Sequence, residues 1–308
     1  MNHIKFIKNK DFLSNSDLSK SETIEILNLA KSLKNKEFTL DIGKKVLGLI
    51  FDKASTRTRV SFQVAMSRLG GSTIDLNPGT TQIGRGEPIK DTARVLSRYC
   101  DAIAIRTFSH NDIQEYASWS SIPVINALTD LEHPCQALAD YLTMKEEFGE
   151  FNNICLAFIG DGNNVANSLI ICGAILGVRI KVVCPKGFEP HSNILDLAKN
   201  LYSNESCIMI TDDLFEGIKG SNVLYTDVWS SMGQEENKDF KDENFRGYTL
   251  DKNVLNCADK NAIVMHCLPA YRGKEISNEV FESSKSRIFN QAENRMHVQQ
   301  ALLSILMR

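Results

Sequence analysis

The sequence lacks an excess of charge of either sign: 35 Lys and Arg stand against 38 Asp and Glu, a net charge of −3 over 308 residues. That balance offers nothing to neutralise a nucleic-acid backbone, so no nucleic-acid partner is expected. A small anion needs only a local basic pocket and is not excluded. No stretch approaches the ~18 uninterrupted apolar residues of a membrane span, so no membrane partner is expected. The opening MNHIKFIKNKDFLSNSD has no long apolar core, and a secretory leader is not expected. Eight cysteines are present without a single C-x-x-C pair. Several stand in apolar runs, so buried, reduced thiols are the expectation, which suits a cytoplasmic protein. Internal repeats, low-complexity tracts and flexible linkers are also missing.

What is present is an alternation of strands and helices. Hydrophobic residues make up 43% and charged residues 24%, the balance of a globular chain, and 308 residues suit two domains. Apolar, strand-like runs occur at 45–51, 102–107, 123–127, 153–160, 179–185, 222–228 and 262–268. Amphipathic, helix-like stretches lie between them, as at 58–70 and 133–149. This pattern predicts an α/β fold of two domains, each a parallel sheet flanked by helices. Helix 133–149 ends at Gly149, which puts the boundary near 150, with domains over 1–150 and 151–308. The last segment, AENRMHVQQALLSILMR, reads as one helix with an apolar face at Val298, Leu302 and Leu306.

Ligands of parallel sheets sit beyond the carboxyl ends of the strands, and the chemically loaded residues follow the strands here. In FDKASTRTRVSF (51–62), a strand gives way to a helix capped near Ser55 or Thr56. Free backbone N–H groups, the hydroxyls of Ser55, Thr56 and Thr58 and the guanidinium of Arg57 would suit a phosphate. A capped helix with a basic, solvated turn is the plain alternative. Arg106 closes the strand AIAIRT, where a surface ion pair is the plain reading.

In LEHPCQALADYL, Pro134 fits the first helical turn, so His133 and Gln136 project from the same helix end, able to donate to a carbonyl oxygen. A lone His at such a position is more often a cap. Gly160 and Gly162 begin a dinucleotide fingerprint, but Val165 occupies the place of its third glycine, so a nicotinamide cofactor is not expected. Asn163 and Asn164 remain as polar groups of that loop. Asp227 and Ser231, in YTDVWSSMGQEEN, could serve an ammonium and a carboxylate, or belong to a surface loop. His266 and Cys267 are neighbours at a strand end and point to opposite faces, so neither a nucleophilic pair nor a metal site is expected.

Taken together and in order, STRTR (55–59), HPCQ (133–136), DVWSSMG (227–233) and HCLP (266–269) resemble the ornithine branch of the aspartate/ornithine carbamoyltransferase family. The likeness runs from about Leu47 to AENR at 292–295. It implies transfer of a carbamoyl group from carbamoyl phosphate to ornithine, giving citrulline and phosphate, in arginine metabolism. By this resemblance Ser55, Thr56, Arg57 and Thr58 hold the phosphate, while Arg106, His133 and Gln136, with Pro134 and Cys135 beside them, meet the carbonyl and bridging region. Asn164, Asp227, Ser231 and Met232 would hold ornithine, with Cys267 and Leu268 beside the reacting amine and Arg295 as a last binding arginine. Gln82 would reach a neighbouring subunit's site in a homotrimer, and the terminal helix, about 290–308, would return to the first domain.

Two departures are visible: Asp52 precedes Lys53 where the family more often has Glu, and Tyr271 stands where it often has His. The implied chemistry is attack by a neutral amine, with Arg57, Arg106, His133 and Gln136 stabilising charge on oxygen. It requires no metal or organic cofactor. The rivals are carbamoyltransferases for aspartate, acetylornithine or putrescine, and a catalytically silent carbamoyl phosphate sensor.

Overall fold

Strands buried on both faces dominate the computed structural model, which describes residues 11–53, 55–77, 79, 81–82, 84, 86–202, 207–230 and 238–308. The chain divides into two compact units, residues 1–142 with 294–308, and residues 143–293. The first carries α1 (Lys20–Lys34), β1 (Val46–Phe51), α2 (Thr56–Arg68), β2 (Ser72–Leu76), α3 (Ile89–Tyr99), β3 (Ala102–Arg106), α4 (His110–Trp119), β4 (Val124–Leu128) and most of α5 (Pro134–Phe148). Its four strands run parallel in the order β2-β1-β3-β4. Every residue of β3 and β4 is buried, as expected of parallel strands covered by helices on both faces.

The second unit contains β5 (Cys155–Ile159), α6 (Asn164–Leu176), β6 (Arg179–Val183), α7 (Ser192–Leu201), β7 (Ile208–Thr211), α8 (Leu214–Ile218) and β8 (Val223–Thr226). It continues through α9 (Lys238–Asn244), α10 (Lys252–Cys257), β9 (Ile263–His266) and α11 (Asn278–Phe281). Its sheet is also parallel, in the order β7-β6-β5-β8-β9. Helix α6 is buried on all sides from Val165 to Leu176 and ends at Gly177, whose φ of 82° gives the left-handed C-cap that glycine adopts without strain.

The terminal helix α12 (Ile288–Leu306) returns the chain to the first unit. Val298, Leu302 and Leu306 are buried as the sequence pattern predicts, but so are Leu303, Ile305, Gln299 and Ser304 on its other sides. It is therefore a core helix and not an amphipathic one. All eight cysteines are free thiols; five are buried, whereas Cys207 and Cys267 are half-buried and Cys257 is exposed, so burial does not extend to every thiol. No described helix is long and apolar enough to cross a membrane.

Candidate active site

Each sheet has one place where successive connections leave in opposite directions, and polar side chains gather at both. In the first unit it lies between β1 and β3, since β1 leads outward to β2 and β3 leads the other way to β4. Loops there diverge and leave a crevice beyond the strand ends. Ser55 caps α2, its Oγ accepting the Thr58 N–H at 3.3 Å. The first turn of α2 contains no acid and does contain Arg57. A helix serving only as structure favours acids at its positive end, so this arrangement suits a bound anion better than a solvated turn. A cavity of about 550 Å³ opens at this helix start on the side of β2, lined in part by Lys53, Ser55, Thr56, Arg59 and Asn77.

Thr58 links this helix start to distant parts of the unit. Its Oγ1 accepts from Arg295 Nη2 at 2.7 Å and from Arg106 Nη1 at 3.4 Å. Arg295 Nη1 donates to Gln136 Oε1, and Gln136 Nε2 donates to Asp140 Oδ1 at 2.7 Å. The His133 carbonyl accepts the N–H groups of Gln136 and Ala137 at 3.0 and 3.2 Å, so His133 opens α5 as the HPCQ motif predicts. Burial holds the His133 imidazole well below the usual histidine range, and the charges of Arg295, Arg106 and Arg57 depress it further. It is therefore a neutral hydrogen-bonding group within the field of three guanidiniums. Burial pushes the Cys135 thiol up to about 12, against a smaller lowering by Arg295, and its Sγ donates to Asn126 O at 3.6 Å. Cys135 is a neutral thiol facing β4.

In the second unit the switch lies between β5 and β8. Strands β8 and β9 pair in register, Thr226 opposite His266, so the next residues, Asp227 and Cys267, leave the sheet side by side. The Cys267 thiol donates to Asp227 Oδ1 at 3.0 Å, and the Val228 N–H donates to the same oxygen at 2.8 Å. Asn163 Nδ2 donates to Asp227 Oδ2 at 2.8 Å, and Asn164 is the first residue of α6. Asp161 pairs with Lys241 at 2.5 Å. Burial raises the Asp161 carboxyl above its usual range, Lys241 opposes this, and Asp227 adds to it.

His266, beside this pair, has hydrogen bonds of its own. Its Nδ1 accepts the Leu268 N–H at 2.9 Å, so the ring proton sits on Nε2, which donates to Glu275 Oε1 at 3.2 Å. The same Glu275 oxygen accepts the Tyr271 N–H at 2.5 Å. These bonds secure Leu268, a residue with a left-handed φ of 61° that a branched side chain seldom adopts unaided. Tyr271 itself is exposed. Asp227, His266 and Cys267 bring ligand atoms within 4.8 Å of one another, a spacing a metal ion could use. The hydrogen bonds just described occupy those atoms, so an ion would have to displace them. Above Gly162 the space for a side chain is filled by the backbone of Glu189 and Pro190, which explains that glycine by packing.

Family models match both units' sequences. Residues 10–146 match the carbamoyl-P binding domain of aspartate/ornithine carbamoyltransferase, and residues 152–306 match its Asp/Orn binding domain. The chain belongs to the aspartate/ornithine carbamoyltransferase family. It is 65% identical over 301 residues to an ornithine carbamoyltransferase of Prochlorococcus marinus (strain MIT 9312), covering 98% of each chain. Among solved structures it resembles ornithine carbamoyltransferase from Pyrococcus furiosus, with 42% identity, a TM-score of 0.94 and 98% of each chain covered. The enzyme from Gloeobacter violaceus is 46% identical, with a TM-score of 0.88, over 98% of this chain and 99% of that one.

Of the carbamoyltransferase residues expected from sequence, the structure gathers Ser55, Thr58, Arg106, His133, Gln136 and Arg295 in one cluster, and Asp227 with Cys267 in the other. Thr56 and Arg57 are exposed on the first turn of α2, and Pro134 is the first residue of α5. Gln82 is exposed, and among the described residues no hydrogen bond joins its side chain to either cluster. Ser231 and Met232 lie outside the described residues. Asp140, Asn163 and Glu275 complete these networks and were not anticipated as partners.

Proposed function

We propose that this carbamoyltransferase moves the carbamoyl group of carbamoyl phosphate to the δ-amine of L-ornithine, giving L-citrulline and phosphate. The observation that carries the reading is the meeting of Arg57, Arg106 and Arg295 around a neutral His133 at an acid-free helix start. Arg106 and Arg295 are buried and share Thr58 Oγ1, and guanidiniums so placed favour an anionic ligand, which offsets both their mutual repulsion and their lost hydration. Ser55, Thr56, Arg57 and Thr58 bind the phosphate, and Arg295 binds beside them. Arg106, His133 and Gln136 address the carbonyl oxygen and the bridging atom, with Pro134 and Cys135 forming the helix turn beneath.

Asn164, Asp227, Ser231 and Met232 receive the α-amino and α-carboxylate groups of ornithine, and Cys267 and Leu268 lie beside its δ-amine. That amine has a lysine-like reference pKa of about 10.4 and must lose its proton before it can attack. Its lone pair then bonds to the carbamoyl carbon, negative charge builds on the carbonyl oxygen, the C–O bond to phosphate breaks, and the nitrogen sheds a proton. His133, being neutral, donates a hydrogen bond to that oxygen, while the guanidiniums stabilise the charge on oxygen and on the leaving phosphate. This is electrostatic preorganisation without a covalent intermediate.

The reading further assigns carbamoyl phosphate binding to residues 1–150 and ornithine binding to 151–308. It includes a cytoplasmic homotrimer in arginine biosynthesis, with Gln82 contributed to a neighbouring subunit. The test is a steady-state panel of amine acceptors with carbamoyl phosphate. Ornithine should exceed putrescine, acetylornithine and aspartate in kcat/KM by a wide margin. Equal turnover of any rival would overturn the choice of acceptor and leave the family untouched.

A further inference from the structure

We propose that Asn163 is a positioning residue for the amino-acid substrate, one amide both capping α6 and holding the Asp227 carboxylate in place. The inference rests on the reading that Asp227 receives the α-ammonium of ornithine.

The amide has two unlike ends, and the fold determines which points where. Asn163 Oδ1 accepts the N–H groups of Val165 and Ala166 at 2.9 and 3.1 Å. These are donors that a helix start leaves without intrahelical partners. With the oxygen committed to the helix, Nδ2 must face the other way, and Asp227 Oδ2 lies there at 2.8 Å. Asp227 is 5% exposed, so its carboxylate cannot turn to water for a replacement donor. The other oxygen, Oδ1, is held by Val228 and Cys267. Asn163 thus fixes the second oxygen and with it the plane of the carboxylate.

Capping alone does not call for asparagine. Ser and Asp cap equally well, and the helices α1, α2, α8, α10 and α11 use Ser19, Ser55, Asp213, Asp251 and Ser277. Asparagine adds a nitrogen donor that reaches past the helix. An acid here would bring a third carboxylate to a place that already holds Asp227 and, beside it, Asp161 with its partner Lys241.

The test uses the full-length enzyme with Asn163→Asp, Asn163→Ser and, as reference, Asp227→Asn. Asn163→Asp keeps the cap but sets a carboxylate against Asp227, so it should melt somewhat below the wild type at pH 8. Its KM for ornithine should rise about ten- to a hundredfold near pH 8, the scale of one hydrogen bond to a charged group. Binding of carbamoyl phosphate should not change. Two adjoining carboxylates share a proton as the pH falls, and a protonated Asp at this position regains an O–H donor toward Asp227. The variant's deficit in binding norvaline, which is ornithine without its δ-amine, should therefore shrink between pH 8 and pH 6, a change that a purely structural cap would not produce. The other ionisable groups near Asp227 (Cys267, His266, Asp161 and Lys241) are common to variant and wild type and cancel in the ratio. Should Asn163→Asp fail to fold, Asn163→Ser, which caps but is too short to reach Asp227, must show the same rise in ornithine KM. If Asp227→Asn raises that KM while neither change at Asn163 does, the proposal is wrong. If Asp227→Asn leaves it unchanged, the underlying assignment of Asp227 falls first and takes the proposal with it.

Discussion

Thr58 Oγ1 accepts a hydrogen bond from Arg295 Nη2 at 2.7 Å across 237 residues of sequence. The chain's last helix thereby closes a network begun at the Ser55-capped start of α2. Arg106 shares the same acceptor, so one buried hydroxyl orients two buried guanidiniums. Thr58→Val conserves shape and removes the oxygen. Leaving charged donors short of a buried partner costs about 1–3 kcal/mol, read as a lower urea midpoint, and carbamoyl phosphate should bind roughly tenfold or more weakly. Combining Thr58→Val with Arg295→Met should produce less than the sum of the single effects, because both remove one bond. Additive losses in calorimetry would show that the two residues act separately.

Arg57 separates stability from activity in the opposite sense. It is exposed at the positive end of α2 with no acid in that first turn. Arg57→Ala removes an unfavourable charge–dipole contact of about 0.3–1 kcal/mol, so thermal stability should hold or rise slightly. Loss of a bidentate contact to phosphate should lower kcat/KM roughly 30- to 1,000-fold. Carbamoyl phosphate binding as tight as in the wild type would place the phosphate elsewhere.

The parts of the fold that the sequence made legible are those with strong local signatures. Seven apolar runs became strands because parallel strands covered by helices are buried on both faces, leaving no alternation to confuse with another element. The two missed strands, β2 and β7, each lie at one edge of a sheet; β4 and β9, at the opposite edges, are buried throughout and could be read. In Ser72–Leu76 three of five residues are exposed, and β7 has only four residues, none of them fully buried. Exposure to solvent, not the edge position alone, breaks up the apolar run that betrays a strand. The capping role of Ser55 and the place of His133 before Pro134 could be read because helix starts obey local rules. Asn163 as the donor to Asp227 could not, since the two are 64 residues apart and meet only through the order of β5 and β8. Asp140 was within reach: it follows Gln136 by four residues on one helix, a spacing that brings side chains together.

His133 gives a pH signature. Its folded pKa lies well below that of an unfolded histidine, first through burial and then through Arg295, Arg106 and Arg57. Below about pH 6.5 the unfolded chain takes up a proton there and the folded chain does not. Stability contributed by keeping this ring neutral is thus fully present above that pH. It is lost as the pH falls, by up to ~1.4 kcal/mol per pH unit, until the folded pKa is reached. His133→Gln should flatten this portion of the urea midpoint against pH between pH 6.5 and 5, while lowering kcat at every pH. Parallel curves for wild type and variant would mean that His133 titrates alike in both states.

Gln82 is the expected residue that lies apart from the clusters, and its role turns on assembly. It is exposed in a segment, NPGTTQIGRGE, with no helical or strand period, and its carbonyl accepts the Glu87 N–H at 3.2 Å. An exposed amide in such a segment suits a contribution to another subunit, and a closed ring of three would repeat that contribution at every interface. The experiment mixes Arg57→Ala with Gln82→Ala under conditions of subunit exchange, each variant first shown to be nearly inactive alone. If sites are shared, some interfaces in the mixture pair an intact Arg57 with an intact Gln82. A random mixture of equal parts should then recover about a quarter of wild-type activity, since a given interface draws the two required subunits independently. Exchange confirmed by mass spectrometry with no return of activity would mean that each site is complete within one chain, leaving Gln82 an ordinary surface residue.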